Sequence, residues 1–270
     1  MTDEKDDQYL RQLLTLLEGT RQFDTYTSEN TGQWQVQPRS SLAGDDAKSH
    51  PHQVSHSASH ALTVAVNHLQ CLRSSVLTER SAKHASPVIR TYAQASLVRG
   101  VFENSARAVW LLGPANRLER LTRSLSLQAN EVGHGYRLRE LAKSQSVKTK
   151  KEHLGDLEDL LVEAGALRDD ARKALKDRPS YKRIVREAGL ELPMGADVAE
   201  LVWSACSSLA HGDSIGTLMF LDRKIVESDG TVGLAEITGN ISLFFHVTYL
   251  AVRMVDRGMG LYEQRATAYV

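Results

Sequence analysis

Two segments of the chain, SLVRGVFENSARAVWLLGP and WSACSSLAHGD, bring together residue types that can do chemistry. In the first, Val88, Tyr92, Ala95, Arg99, Phe102, Ala106 and Val109 follow alternating steps of four and three. That spacing places Arg99 in the stripe a helix turns toward the core. A guanidinium there needs an acceptor, and Glu103 stands one turn further on. Such a pair either locks helix register or builds a polar site. Arg107, a further turn along, extends the series to a ladder of Arg99, Glu103 and Arg107. In the second segment His211 lies in line with Ser204 and Ser208, before a glycine. Carbonyls at a helix C-terminus favour positive charge, which suits an acid or a phosphate contact. The alternative is a histidine that only precedes a terminating glycine.

Helices must position these residues. A first helix is expected over 6–19, with Leu10, Leu13, Leu14 and Leu17 on one face, and 20–49 reads as a long polar loop pinned by Trp34. The spacing of Ala58, Leu62, Ala65, Leu69, Leu72 and Val76 predicts a long helix from about residue 53. Ser86 and Pro87 supply an N-cap and first-position proline for the Arg99 helix, which Gly113-Pro114 ends. Leu118, Leu121, Leu125 and Val132 carry another helix to about Gly133, and Leu154, Leu157, Leu161 and Ala164 one to Gly165. Val198, Val202, Ala205 and Leu209 form the stripe of the His211 helix, with Gly212 as its C-cap. A last helix is expected over 240–263. Between these two, KIVESDGTVGLAEI has a DG turn between β-branched residues and reads as a hairpin. The expected fold is mostly α, a multi-helix bundle of long antiparallel helices with one small β-hairpin near 224–238. An N-terminal helix and polar loop occupy 1–50, and the helical bundle domain 51–270.

Other candidates carry a plainer reading beside the chemical one. His50, His52, His56 and His60 include a spacing of four suited to metal ligands, yet His56 and His60 project opposite the apolar stripe and have no fixed acidic or cysteine partner. A solvated face is the expectation, and no metal or cofactor is expected. Arg117, Arg120 and Arg123 recur every three residues, and 168–186 is locally basic. Brought together, these would give the electrostatic footprint of a phosphate backbone; apart, they are ordinary helix surfaces. Few aromatics are interleaved, Tyr181 being the exception, so base stacking is not indicated.

Composition sets the frame. The chain has 270 residues, 33 Lys and Arg against 33 Asp and Glu, so no whole-molecule field draws it to nucleic acid or a membrane. Two cysteines, Cys71 and Cys206, without metal-ligand spacing suit a reducing cytoplasm. The acidic start MTDEKDDQYLRQLL is unlike a signal peptide, and no stretch approaches about 18 apolar residues, so no membrane partner is expected. P-loop, GxGxxG, HExxH and GxSxG signatures are missing.

The two opening segments together resemble those of a group of actinobacterial and phage helical proteins, over about 62–270. Such proteins are similar in pattern to HEPN-like bundles, many of which are dimeric ribonucleases of toxin–antitoxin and antiphage systems. The resemblance implies a homodimer that contacts or cleaves RNA, or binds a phosphorylated ligand. HEPN nucleases carry an arginine, then four to six intervening residues, then the histidine; here the positions that would hold the arginine are Ser204, Ala205 and Cys206. His211 alone carries over, and the cation would come from Arg99, oriented by Glu103. Arg99 would then stabilise the phosphorane charge while His211 moves the proton. The ligand-binding set would be completed by Ser204, Ser208, Arg107, Arg117 and Arg120. The competing expectation is a non-catalytic interaction or dimerisation module, a phage accessory or antitoxin-like protein, in which the polar residues only fix register.

Overall fold

The structure, a computed structural model, describes residues 2–28, 31–76, 79–80, 85–228 and 233–268. Among them run eleven α-helices: α1 (Thr2–Gly19), α2 (Ser41–Ser49), α3 (Val54–Val76), α4 (Ala93–Leu112), α5 (Arg117–Leu141), α6 (Lys150–Glu163), α7 (Arg168–Lys176), α8 (Tyr181–Gly189), α9 (Gly195–His211), α10 (Ser214–Phe220) and α11 (Ile241–Ala266). Two antiparallel strand pairs accompany them, β1 (Glu79–Arg80) with β2 (Ala85–Ser86), and β3 (Asp222–Ser228) with β4 (Gly233–Thr238). The fold is mostly α with a small hairpin, as the periodicities predict.

α4 is the axis of the bundle because it is apolar almost all round toward its end. Ala108, Val109, Trp110, Leu111 and Leu112 are all buried. A helix of that kind needs neighbours on every side. α3 and α11 take one flank, α8 and α9 another. Leu62, Leu69, Phe102, Ala106, Met254 and Val255 belong to the resulting continuous core. Each large aliphatic so enclosed contributes about 1.5–3 kcal/mol. Gly258 lets α11 approach closely, since a Cβ there would lie 2.7 Å from Leu62 Cδ2.

Several local expectations are corrected. The stretch 20–49 is not a loop: 3-10 helix occupies Thr20–Thr27 and Thr31–Trp34, and α2 follows, capped by Ser40, whose hydroxyl accepts from Ala43 N–H. Tertiary contact overrides its polar composition, since Asp45 of α2 is held in the interior by an arginine of α5. Ser86 does not cap α4. It pairs with Glu79 in β2, and α4 begins six residues after Pro87, where the Gln94 side chain bonds the Val88 carbonyl and the Arg90 N–H. α5 continues past Gly133 to Leu141, and α10 was absent from the expected elements. Val198, assigned to a buried stripe, is 40% exposed. The DG turn at 229–230 lies outside the described residues; the strands flanking it pair from Asp222↔Thr238 to Ser228↔Gly233. No helix among the described residues is long and apolar enough to cross a membrane.

Candidate functional site

The face where α4 packs on α9 brings together Arg99, Glu103 and His211. Arg99 sits at the border of the α4 stripe, with Ala95, Phe102 and Ala106 buried around it. Its side chain is 27% exposed and that of Glu103 15% exposed, so the pair is at the edge of the core rather than inside it. Arg99 Nε donates to Glu103 Oε2 at 3.1 Å. The same oxygen accepts from Trp203 Nε1 of α9 at 3.1 Å, and the guanidinium lies 5.9 Å from the Trp203 ring centroid. Charge-assisted bonds and cation–π contact therefore fix the orientation of Arg99 from two helices.

α9 delivers the histidine because its stripe of Ala199, Val202, Ala205, Cys206 and Leu209 is buried, which turns His211 outward at the last turn. Gly212 ends the helix in the left-handed region at φ 71°, as its sequence position predicts, and its N–H bonds the carbonyls of Ser208 and Leu209. The exposed His211 ring then lies with Nε2 at 3.4 Å from Arg99 Nη1. For Arg99 to donate, Nε2 must carry no proton. A guanidinium with Nε and one Nη1 hydrogen committed keeps Nη2 for a ligand. An anion entering beside this contact meets the free Nη2 donors of Arg99.

Elsewhere along α4 and α9, Ala95, Cys206 and Leu209 line a narrow apolar crevice of about 30 Å³ together with Phe220 and Phe244. That is room for about one water, and neither Arg99 nor His211 lines it. Cys206 is no nucleophile there. Burial pushes its thiol up to about 12 against the opposing pull of the Arg99 charge.

The remaining expected site residues lie elsewhere. Arg107 does not share Glu103; its Nη2 pairs with Glu131 of α5. Ser208 Oγ donates to Asp213 Oδ2 at 3.1 Å, and Ser204 is exposed on the same helix. Arg117 Nε donates to Asp45 Oδ1 at 3.0 Å, and Arg120 is buried on the same carboxylate, so neither belongs to a free basic surface. Arg123 stacks 4.8 Å from the Trp110 centroid and pairs with Glu119 and Glu187. Four of the five arginines of 168–186 are paired with carboxylates: Arg168 and Arg172 with Glu158, Arg183 with Asp177 and Glu187, Arg186 with Asp197 and Glu200. Alternation of charge in space, invisible in a linear count, removes the continuous patch. His56 and His60 are exposed, and among the described residues no group of three His, Cys, Asp or Glu side chains can hold a metal ion.

Trp203 is the member that sequence reasoning missed. Its signal was a tryptophan two turns before His211, whose indole N–H needs an acceptor once partly buried. Compared with protein-family models, curated proteins and solved structures, the chain matches none.

Proposed function

We propose that this chain is an HEPN-like helical protein that contacts the phosphates of RNA on the open face formed by Arg99 and His211. The observation that carries this reading is the 3.4 Å approach of Arg99 Nη1 to His211 Nε2, between residues 112 positions apart. A guanidinium already oriented by a carboxylate and an indole spends little entropy on binding and is aimed at developing charge. The exposure of the His211 ring favours a chain lying across the surface over an enclosed small molecule. If cleavage follows, Arg99 stabilises the phosphorane and His211, released from Arg99, moves the proton. Fluorescence anisotropy with single-stranded RNA tests binding, with Arg99→Ala and His211→Ala alongside, and incubation with total RNA tests cleavage. Undiminished binding by both variants removes the site; equal cleavage by the parent and His211→Ala, or none by either, removes the nuclease step.

A second reading, a dimerisation module, has its own support. Ile215, Leu218 and Met219 of α10 are 73%, 52% and 69% exposed, and Ile225, Val226 and Leu234 of the adjoining hairpin are more than half exposed. A two-stranded ribbon alone is marginal in water, and so broad an apolar surface suits a second copy of the chain. Sedimentation equilibrium of the parent and Met219→Asp decides this: a monomeric parent sinks the module.

A further inference from the structure

α6 and α7 lie side by side in opposite directions, since Arg168 at the start of α7 meets Glu158 and Asp159 while Leu175 and Lys176 at its end lie beside Lys150, Lys151 and Leu154. The two ends of this helix pair differ in charge balance. At one end Glu158 takes Arg168 and Arg172, each at 3.0 Å. At the other, Lys150, Lys151 and Lys176 have no carboxylate partner among the described residues. The acids nearby are committed elsewhere. Glu152 spends one oxygen on Thr149, accepting from its N–H at 2.6 Å and its hydroxyl at 2.9 Å; Asp156 pairs with Lys148 at 2.8 Å; Asp177 pairs with Arg183 at 2.7 Å. Three lysines thus rim one groove with no carboxylate partner of their own, which leaves their ammonium groups available to an anion.

Between the lysines the surface is largely apolar, and the ion pair of Glu158 with Arg172, at 3.0 Å, closes one side of it. Leu154, Gly155 and Leu175 form the floor of a groove of about 620 Å³, a volume in the range of small-molecule sites. Gly155 keeps the floor open, because a Cβ there would meet nothing within 4 Å. No aromatic residue is among those lining the groove, so nothing stacks a nucleobase. Cations on the rim and hydrocarbon beneath match a molecule with the same division.

We infer that the groove between α6 and α7 binds a small amphiphilic anion, its phosphate, sulfonate or carboxylate head among Lys150, Lys151 and Lys176 and its apolar body on Leu154, Gly155 and Leu175. The site is separate from the Arg99 and His211 face and does not depend on that reading.

The test is calorimetric titration of the full chain with octyl phosphate below its micellar concentration, beside inorganic phosphate and octyltrimethylammonium. Octyl phosphate is expected to bind at least about tenfold more tightly than phosphate, and octyltrimethylammonium not to compete, because head and body contribute separately. Lys176→Glu and Gly155→Leu should each weaken octyl phosphate about tenfold or more, the first by reversing a rim charge and the second by filling the floor. Gly155→Leu replaces a glycine in a helix with a better helix former, so it keeps the fold. Arg99→Ala should leave the affinity unchanged. Equal binding of the cationic amphiphile, no binding of octyl phosphate, or undiminished affinity in both groove variants overturns the proposal. So does retention on phosphatidylglycerol vesicles without any binding of free octyl phosphate, which would make the lysines a membrane-surface patch.

Discussion

Arg120 gives Nε and Nη2 to the two carboxylate oxygens of Asp45, at 2.6 and 2.8 Å, with both side chains closed off from water. The rest of the guanidinium is also satisfied: Nη1 donates to the carbonyls of Pro114 and Ala115, and Nη2 to the Ser41 hydroxyl. This bidentate pair ties α2 to the turn where α4 hands over to α5. Desolvation makes it a poor source of net stability but an expensive thing to break.

Asp45→Ala is therefore expected to cost about 3–5 kcal/mol, because it strands a buried cation. The double variant Asp45→Ala with Arg120→Ala should cost clearly less than the sum of the two singles, as coupled partners do. Urea unfolding of all four forms checks both statements. Additive losses would mean that the two side chains act independently.

The pair also marks where sequence reasoning reached its limit. Stripes such as Leu62, Leu69 and Leu72 announce a helix because period alone sets which face is buried. Arg120 looks like one of three regularly spaced surface arginines, since its partner lies 75 residues away and nothing local signals it. The Arg99 and Glu103 pair was legible because its partner is one turn along the same helix. The contacts of His211 and Trp203 with this pair have no local signal, because α4 and α9 meet only through the fold. The polar segment 20–49 failed for the same reason: Ser41 and Asp45 read as solvent-facing until an arginine from α5 is placed on them.

Two glycines separate packing from propensity. A Cβ on Gly189 would lie 2.6 Å from both Ala199 Cβ and the Gly195 carbonyl oxygen, where α8 meets α9. Backbone cannot yield as a side-chain tip can, so Gly189→Ala should lose about 1–3 kcal/mol by overpacking. Gly260 in α11 has nothing within 4 Å of its Cβ position, and Gly260→Ala should gain up to about 1 kcal/mol. Thermal melts of the two variants should move in opposite directions; a shared sign would refute the close-approach account.

Acid should loosen the junction of α4 and α8 through Glu187. Burial pushes its carboxyl up, but hydrogen bonds from Arg183 and Trp110 and the charge of Arg123 outweigh this and hold it below the usual carboxylate range. A depressed native value means that the unfolded chain binds the proton more readily. The contribution is complete above the ordinary glutamate value of about 4.3 and disappears as pH falls through the lower native value. Glu187→Gln should accordingly be less stable than the parent at pH 7 and approach it near pH 3, measured by urea titration at each pH. A constant gap across that range contradicts the assignment.

Arg99→Lys isolates what the guanidinium adds beyond charge. Lysine keeps the positive charge but is a single point donor that cannot hold Glu103 through Nε while presenting further donors beside His211. If the RNA reading is right, the substitution should weaken binding of single-stranded RNA by about tenfold, near 1.4 kcal/mol, at fixed salt. The slope of affinity against salt should stay almost unchanged, because the number of phosphates neutralised is the same. Anisotropy titrations at two salt concentrations give both quantities. Full affinity in Arg99→Lys would show that any cation serves at this position, and the alignment of Arg99 by Glu103 and Trp203 would then be a matter of helix register alone.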